Sequence, residues 1–209
     1  MSAATGCLIA FEGPEGAGKS TQMQRLATVL RADGRRIETT AEPGGTALGR
    51  DLRQLLLHAR ETVPVPLAEL FLYLADRAQH VQQLIAPAIA AGAVVLTDRF
   101  SASTIAYQGY GRGLDLELVT RADAWARGDV APHLTLLLDC PVRVGLQRAR
   151  GENDRFHAEE EAFHERVRAG FHALAAAAPD RWRTIDATQS PEAVHAAVLA
   201  AVRAALEQP

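Results

Sequence analysis

Lysine is nearly absent from this 209-residue chain: of its 22 basic side chains one is lysine, Lys19, and the other 21 are arginine. Cysteine occurs twice, at Cys7 and Cys140, each in an apolar strand-like run, with no CxxC pair and no Cys/His metal spacing. That excludes a disulfide framework and a zinc-type site, and reads as two small buried hydrophobes in a reducing compartment. Long apolar runs are missing too. The longest, IAPAIAAGAVVL, is broken by Pro87 and Gly92 and cannot span a bilayer. No basic segment precedes the first apolar stretch, as a secretory signal would require. A cytoplasmic protein with no membrane partner is expected. Excess positive charge is also lacking: the formal net charge is −3 and the pI about 6.2, so no generic nucleic-acid surface is expected.

What is present is an ordinary globular composition, 48% hydrophobic and 22% charged, without repeats or low-complexity linkers. Residues 1–209 are expected to form a single α/β domain. GCLIAFE reads as a strand that runs into a glycine-rich turn. A helix is expected over Lys19–Ala32, then a strand in RRIETTAE, an EPGGT loop and a helix over Ala47–His58. The VPVP turn leads into a long helix whose stripe is Leu67, Leu70, Phe71, Leu74, Ala78, Val81, Ile85 and Ile89, with Gly92 as its stop. AVVLTD, HLTLLLD and WRTID are further strands, and a last helix runs from Pro191 to Leu206. Strands alternating with helices imply right-handed βαβ units and a parallel sheet, which binds ligands at the carboxyl ends of its strands. Glu12, Asp98, Asp139 and Asp186 end strands there and are expected to face one crevice.

The sole lysine stands in GPEGAGKS, residues 13–20, which fits G-x-x-x-x-G-K-[ST] between a strand and a helix. Gly13, Pro14, Glu15, Gly16, Ala17 and Gly18 would curl their N–H groups into an anion nest at the helix start. Lys19 would reach the β- and γ-phosphates of ATP, Ser20 would ligate Mg²⁺, and Thr21 continues the motif. A planar guanidinium is too wide for that nest, which explains a lysine in an arginine-rich chain. A guanine-specific N-K-x-D motif is impossible, since the single asparagine is Asn153 and no second lysine exists.

The acceptor side is less constrained. Arg99, after AVVLTD, can grip a phosphate bidentately or form a structural salt bridge. Tyr73 and Arg77, one helical turn apart, suit a flat heterocycle; the competing reading is a surface pair, with Leu70, Phe71, Leu74 and Ala78 facing the core. In SASTIAYQGYGR, Ser103, Tyr107 and Gln108 lie close to the Arg99 strand end, and an amide matches a pyrimidine edge, unless the segment is merely polar surface. Arg148, Arg150 and Arg155 in RARGENDR form either a cationic flap over a triphosphate or a solvated helix face.

Taken together, FEGPEGAGKST, EPGGT, LADRAQH, DRF, STIAYQGYGRG and RARGENDR resemble the bacterial thymidylate kinase family, in order and spacing from about Leu8 to Ile185. The resemblance implies a P-loop NTPase fold: a five-stranded parallel sheet, helices on both faces and a flexible lid, at about residues 148–158. It implies ATP with Mg²⁺ as donor, dTMP as acceptor and a homodimer. By position, Glu15 would lie by the deoxyribose 3′-OH, and Arg99 would hold the dTMP phosphate with Arg53 and Glu42 nearby. Tyr73 would stack on thymine where phenylalanine is usual; Arg77, Ser103 and Gln108 would read the base edge; Tyr107 would crowd the sugar 2′ position. Asp98 would join Ser20 at the metal, directly or through water, and Arg148, Arg150 and Arg155 would be lid cations, the latter two catalytic with Lys19, Arg99 and Glu15. Ala41 stands where the family usually has an arginine. Two rival readings remain at this level: another P-loop nucleotide or nucleoside kinase, and an ATP-binding regulatory module without transferase activity.

Overall fold

The computed structural model describes residues 6–57, 63–149, 156 and 159–207. Five strands, β1 (Cys7–Glu12), β2 (Ile37–Ala41), β3 (Val94–Asp98), β4 (Leu134–Asp139) and β5 (Trp182–Asp186), form one parallel sheet in the order β2-β3-β1-β4-β5. β1, apolar on both faces, is central. Its even and odd residues feed different cores: Ile9 and Phe11 pack with Leu26, Leu30, Val198 and Val202, whereas Leu8 and Ala10 pack with Val81, Ile85 and Phe100. That period-two division is what a doubly covered sheet demands of a central strand.

Nine α-helical segments surround the sheet among the described residues: α1 (Lys19–Ala32), α2 (Ala47–Leu57), α3 (Pro66–His80), α4 (Ala86–Ala90), α5 (Ser101–Thr104), α6 (Leu116–Arg127), α7 (Val142–Arg148), α8 (Glu161–Ala177) and α9 (Pro191–Glu207). Two π-helical segments, Val81–Ile85 and Ile105–Gly111, join α3 to α4 and extend α5. The expected strands, first helix and last helix are all found within a residue or two. The segment after DRF is not polar surface: Tyr107, Gln108 and Gly109 are buried against α8 and α3.

Two sequence expectations are corrected. Phe71 and Leu67, placed on the core stripe, are 57% and 44% exposed. The buried arc of α3 instead contains Glu69, Leu70, Leu74, Asp76, Arg77 and His80. Phe71 lies about 100° around the helix from Leu70, so an apolar stripe drawn on hydrophobicity alone was turned away from an arc that carries charge. Nor do all four strand-end acids face one crevice. Asp139 is held by Arg168 and His172, Asp186 accepts from Thr188 in its own turn, and Glu12 is fully buried; of the four, only Asp98 lines the cleft described next.

Candidate active site

The register of β1 with β3 brings the loop after Glu12 beside the turn after Asp98, since Phe11 pairs with Asp98. A cleft of about 660 Å³ opens at this sheet edge. One end is the phosphate loop. Gly18 caps α1 in a left-handed conformation at φ 86°, and Gly16, at φ 66°, packs so tightly that a Cβ would run into the Gly145 carbonyl of α7. Lys19 is 7% exposed; its Nζ donates to the Gly13 and Pro14 carbonyls at 3.1 and 2.8 Å. Burial, with Arg99 nearby, lowers its pKa, and Glu15, Asp98 and Glu12 pull the other way. The Ser20 hydroxyl donates to Asp98 Oδ2. Glu15, Gly16, Gly18, Ser20 and Thr21 line the cleft with Lys19, while Gly13, Pro14 and Ala17 are buried behind it.

Arg99 stands across from this loop, with φ 69°, a left-handed value that a non-glycine residue adopts at a cost of roughly 1–2 kcal/mol. Its guanidinium donates to Glu15 Oε1 at 2.6 Å, Ser103 Oγ at 3.0 Å, Tyr107 Oη at 3.2 Å and the Gly13 carbonyl at 3.3 Å, and lies 5.0 Å over the Tyr107 ring. Burial alone would lower its pKa; Glu15 first, then Tyr107, Asp98 and Glu12, push it well above the ordinary arginine value. Tyr107 donates to Glu15 Oε1 at 2.6 Å, and burial keeps its phenol protonated well above pH 10. The salt-bridge reading of Arg99 therefore holds, and the same guanidinium lines the cleft.

At the far end, Arg77 is 1% exposed, which overturns the surface-pair reading. Its Nε and Nη2 both donate to Glu42 Oε2, at 2.9 and 2.7 Å, and its Nη1 donates to Thr104 at 2.7 Å and Asp123 at 2.6 Å. Glu42 in turn contacts His80 Nδ1 at 2.8 Å, and His80 Nε2 meets Thr40 Oγ1 at 2.7 Å. These bonds tie the loop after β2 to α3 and α6. Tyr73, Arg77, Ser103, Thr104, Gln108 and Phe156 all line this end, with Arg53, whose Nη1 donates to the Pro43 carbonyl at 2.9 Å. Ser103 gives its hydroxyl proton to Glu12 Oε2 at 2.6 Å, which places it under Arg99. Gln108 Nε2 donates to Glu69 Oε1 at 2.8 Å, leaving its carbonyl as the atom not yet engaged by that bond. Arg112 joins Glu69 and Glu159 and lies 5.4 and 4.7 Å over Phe156 and Phe163. Arg148 lines the opposite side and donates to the Ala187 carbonyl at 2.7 Å. Arg150 and Arg155 lie outside the described residues.

Sequence reading missed Glu69, Thr104, Arg112, Asp123 and Phe156, and set Glu12 in the crevice although it is buried behind it. Charged residues within amphipathic patterns look solvent-facing, and nothing in their spacing signals burial. Phe156 had one available cue in the sequence, an aromatic residue next to the arginine-rich run RARGENDR.

A parallel sheet of this order, with a phosphate loop after its central strand and a second, arginine-lined end to the same cleft, defines a P-loop phosphotransferase with separate donor and acceptor ends. Comparison with known proteins carries this further. The family model for thymidylate kinase matches residues 11–198. A thymidylate kinase of Solidesulfovibrio magneticus is 53% identical over 199 residues, covering 91% of this chain and 95% of its own. One from Synechococcus sp. is 55% identical over 188 residues, covering 90% of each. The crystal structure of thymidylate kinase from Ehrlichia chaffeensis superposes with a TM-score of 0.77 at 33% identity, over 94% of this chain and 98% of that one. The chain belongs to the thymidylate kinase family, and with it to the nucleoside monophosphate kinases.

Proposed function

We propose that this enzyme transfers the γ-phosphoryl group of ATP to dTMP, giving dTDP and ADP in the supply of dTTP. The observation that carries the reading is one cleft lined at one end by Lys19 and Ser20 and at the other by Arg99, Tyr73, Arg77 and Gln108. The acceptor phosphate is already ionised at neutral pH, so no general base is required; the work is to bring two anions together in line. Lys19 and the loop N–H groups bind the donor phosphates. Arg99, with Arg53 beside it, holds the acceptor phosphate, and Glu15 keeps that guanidinium aimed while contacting the deoxyribose 3′-OH side. Tyr73 stacks on the base, and Arg77 and Gln108 face its edge, with Glu42 and Ser103 anchoring the two arginines. Tyr107 crowds the sugar 2′ position. Arg148 lies on the donor side, and Arg150 and Arg155 supply the remaining lid cations.

Mg²⁺ fits the residues present. Ser20 and Asp98 offer two adjacent oxygens, and among the described residues no cluster of three or more His, Cys, Asp or Glu could cage a metal. Magnesium suits such a sparse oxygen set, taking its other ligands from phosphates and water. Bound there, it would neutralise phosphate charge.

The partner we infer is a second copy of this chain. Leu67 and Phe71 on α3 and Leu118 and Trp125 on the adjoining α6 are exposed, Trp125 by 88%. Sedimentation of Trp125→Arg checks this: wild type should run as a dimer and the variant as a monomer. No helix among the described residues is long and apolar enough to cross a membrane, and the two unpaired cysteines suit the cytoplasm to which we assign the enzyme.

The test is ADP release from Mg-ATP with dTMP, dUMP, dCMP, dGMP, AMP or thymidine as acceptor. Preference for dTMP is expected. Preference for another monophosphate would overturn the assignment of the base end, and tight ATP binding without acceptor-dependent turnover would overturn the reaction.

A further inference from the structure

Glu12 is fully buried and does not line the cleft, yet its carboxylate holds three donors from one short stretch. Oε1 accepts from the Phe100 and Ser103 backbone N–H groups at 2.9 and 3.2 Å, and Oε2 accepts from the Ser103 hydroxyl at 2.6 Å. The helical segment beginning at Ser101 has no side-chain cap of its own. Glu12 supplies one from the neighbouring strand, satisfying N–H groups that every helix start leaves open.

The residue just before this cap is Arg99. Its own N–H is taken by the Phe11 carbonyl at 2.9 Å, and its carbonyl accepts from Thr97 Oγ1 at 2.8 Å. Consecutive residues of β1 therefore clamp both flanks of a left-handed residue: Phe11 through its carbonyl, Glu12 through its side chain. A second path reaches the guanidinium itself, since Arg99 Nη1 donates to the same Ser103 oxygen whose proton goes to Glu12. Phe100, pinned by Glu12 through its N–H, also forms the ring over which Arg77 lies at 5.1 Å.

We propose that Glu12 is a positioning residue for the acceptor phosphate, fixing the backbone turn and the side-chain direction of Arg99 without touching substrate. This rests on the reading of Arg99 as the acceptor's phosphate ligand. Gln keeps an oxygen that can accept from Phe100 and Ser103 but replaces the acceptor for the Ser103 hydroxyl; Ala removes both.

The experiment measures KM for dTMP, KM for ATP and melting temperature in Glu12→Gln, Glu12→Ala, Arg99→Ala and the Glu12→Gln/Arg99→Ala double variant. Assayed at about pH 8, where Glu12 is ionised, Glu12→Gln is expected to raise KM for dTMP about tenfold, the loss expected for one charge-assisted hydrogen bond, while KM for ATP stays within about twofold of wild type. Glu12→Ala is expected to be worse, and Glu12→Gln carries the test if Glu12→Ala does not fold. In the Arg99→Ala background the Glu12→Gln effect on KM for dTMP should vanish. Equal changes in both KM values, or a full Glu12→Gln effect persisting without Arg99, would reduce Glu12 to general scaffolding and overturn the inference. Arg99→Ala leaving KM for dTMP unchanged would overturn the acceptor role of Arg99 itself. Arg99→Ala raising it while Glu12→Gln does nothing would overturn the positioning role alone.

Discussion

Replacing Arg77 by methionine isolates what the buried charge cluster contributes. Methionine occupies a similar volume, so the change is chiefly the loss of four hydrogen bonds to Glu42, Thr104 and Asp123. Glu42 keeps His80 as a partner. Asp123, 3% exposed, keeps, among the described residues, only the longer contact to Arg127 at 3.4 Å. Burial alone would lower the Arg77 pKa, but Glu42 and Asp123 raise it above the ordinary arginine value, so the guanidinium is charged at every accessible pH. Removing one partner from a buried ion pair strands the other and costs about 3–5 kcal/mol. At about 2–4 °C per kcal/mol for a chain of this size, melting should fall by roughly 6–20 °C. Urea unfolding gives the free energy directly. The control is Asp123→Asn in the Arg77→Met background: once the stranded charge is removed, about 1–3 kcal/mol should return. A loss below about 1 kcal/mol for Arg77→Met would refute the argument. So would an Asp123→Asn change that adds its own cost rather than relieving one.

Further outcomes follow from the same geometry. Lys19→Ala, and equally Lys19→Arg, should lower turnover by at least about 10²–10³-fold with the fold retained, since a guanidinium is too wide for the loop; steady-state kinetics alongside circular dichroism checks this, and near-normal activity of either variant would sink the assignment. Gly145→Ala should push the phosphate loop away, because its Cβ would collide with the Glu15 carbonyl; misplacement by about 1 Å predicts a kcat loss of about 10²-fold, whereas a fully active and more stable variant would contradict the contact. Burial raises Glu12 from 4.5 to about 7 and Asp76 from 3.8 to about 6. Across that window the folded chain holds protons the unfolded chain has released, so stability should fall as pH rises from about 4 to about 7 and then level off. Urea titrations should show a shallower slope in Glu12→Gln; an unchanged slope would contradict the raised pKa.

The strands, the phosphate loop and the first and last helices were legible because their signals are local: apolar runs, glycine spacing, a single lysine in the right place. Arg99 was legible from its place at a strand end. The supporting charges were not. Glu12, Glu69 and Asp123 are buried only because other elements converge on them, and a carboxylate destined for the interior looks the same in sequence as one destined for water. The same effect misdirected the long helix: with Arg77, Asp76 and Glu69 in its buried arc, Phe71 was assigned inward on hydrophobicity and lies outside. The π-helical segment that seats Tyr107 and Gln108 depends on packing against α8 and α3 and leaves no periodic trace.

The lone ammonium of Lys19, folded back on the loop carbonyls, gives the molecule an unusual chemical exterior. The chain's one side-chain amine is 7% exposed, and every other basic side chain but histidine is a guanidinium. Amine-reactive dyes and biotin esters therefore find their side-chain target at one place, the phosphate end of the cleft, instead of scattered over the surface. Modification of that lysine reports directly on access to the phosphate loop, and a nucleotide bound over it should slow the reaction.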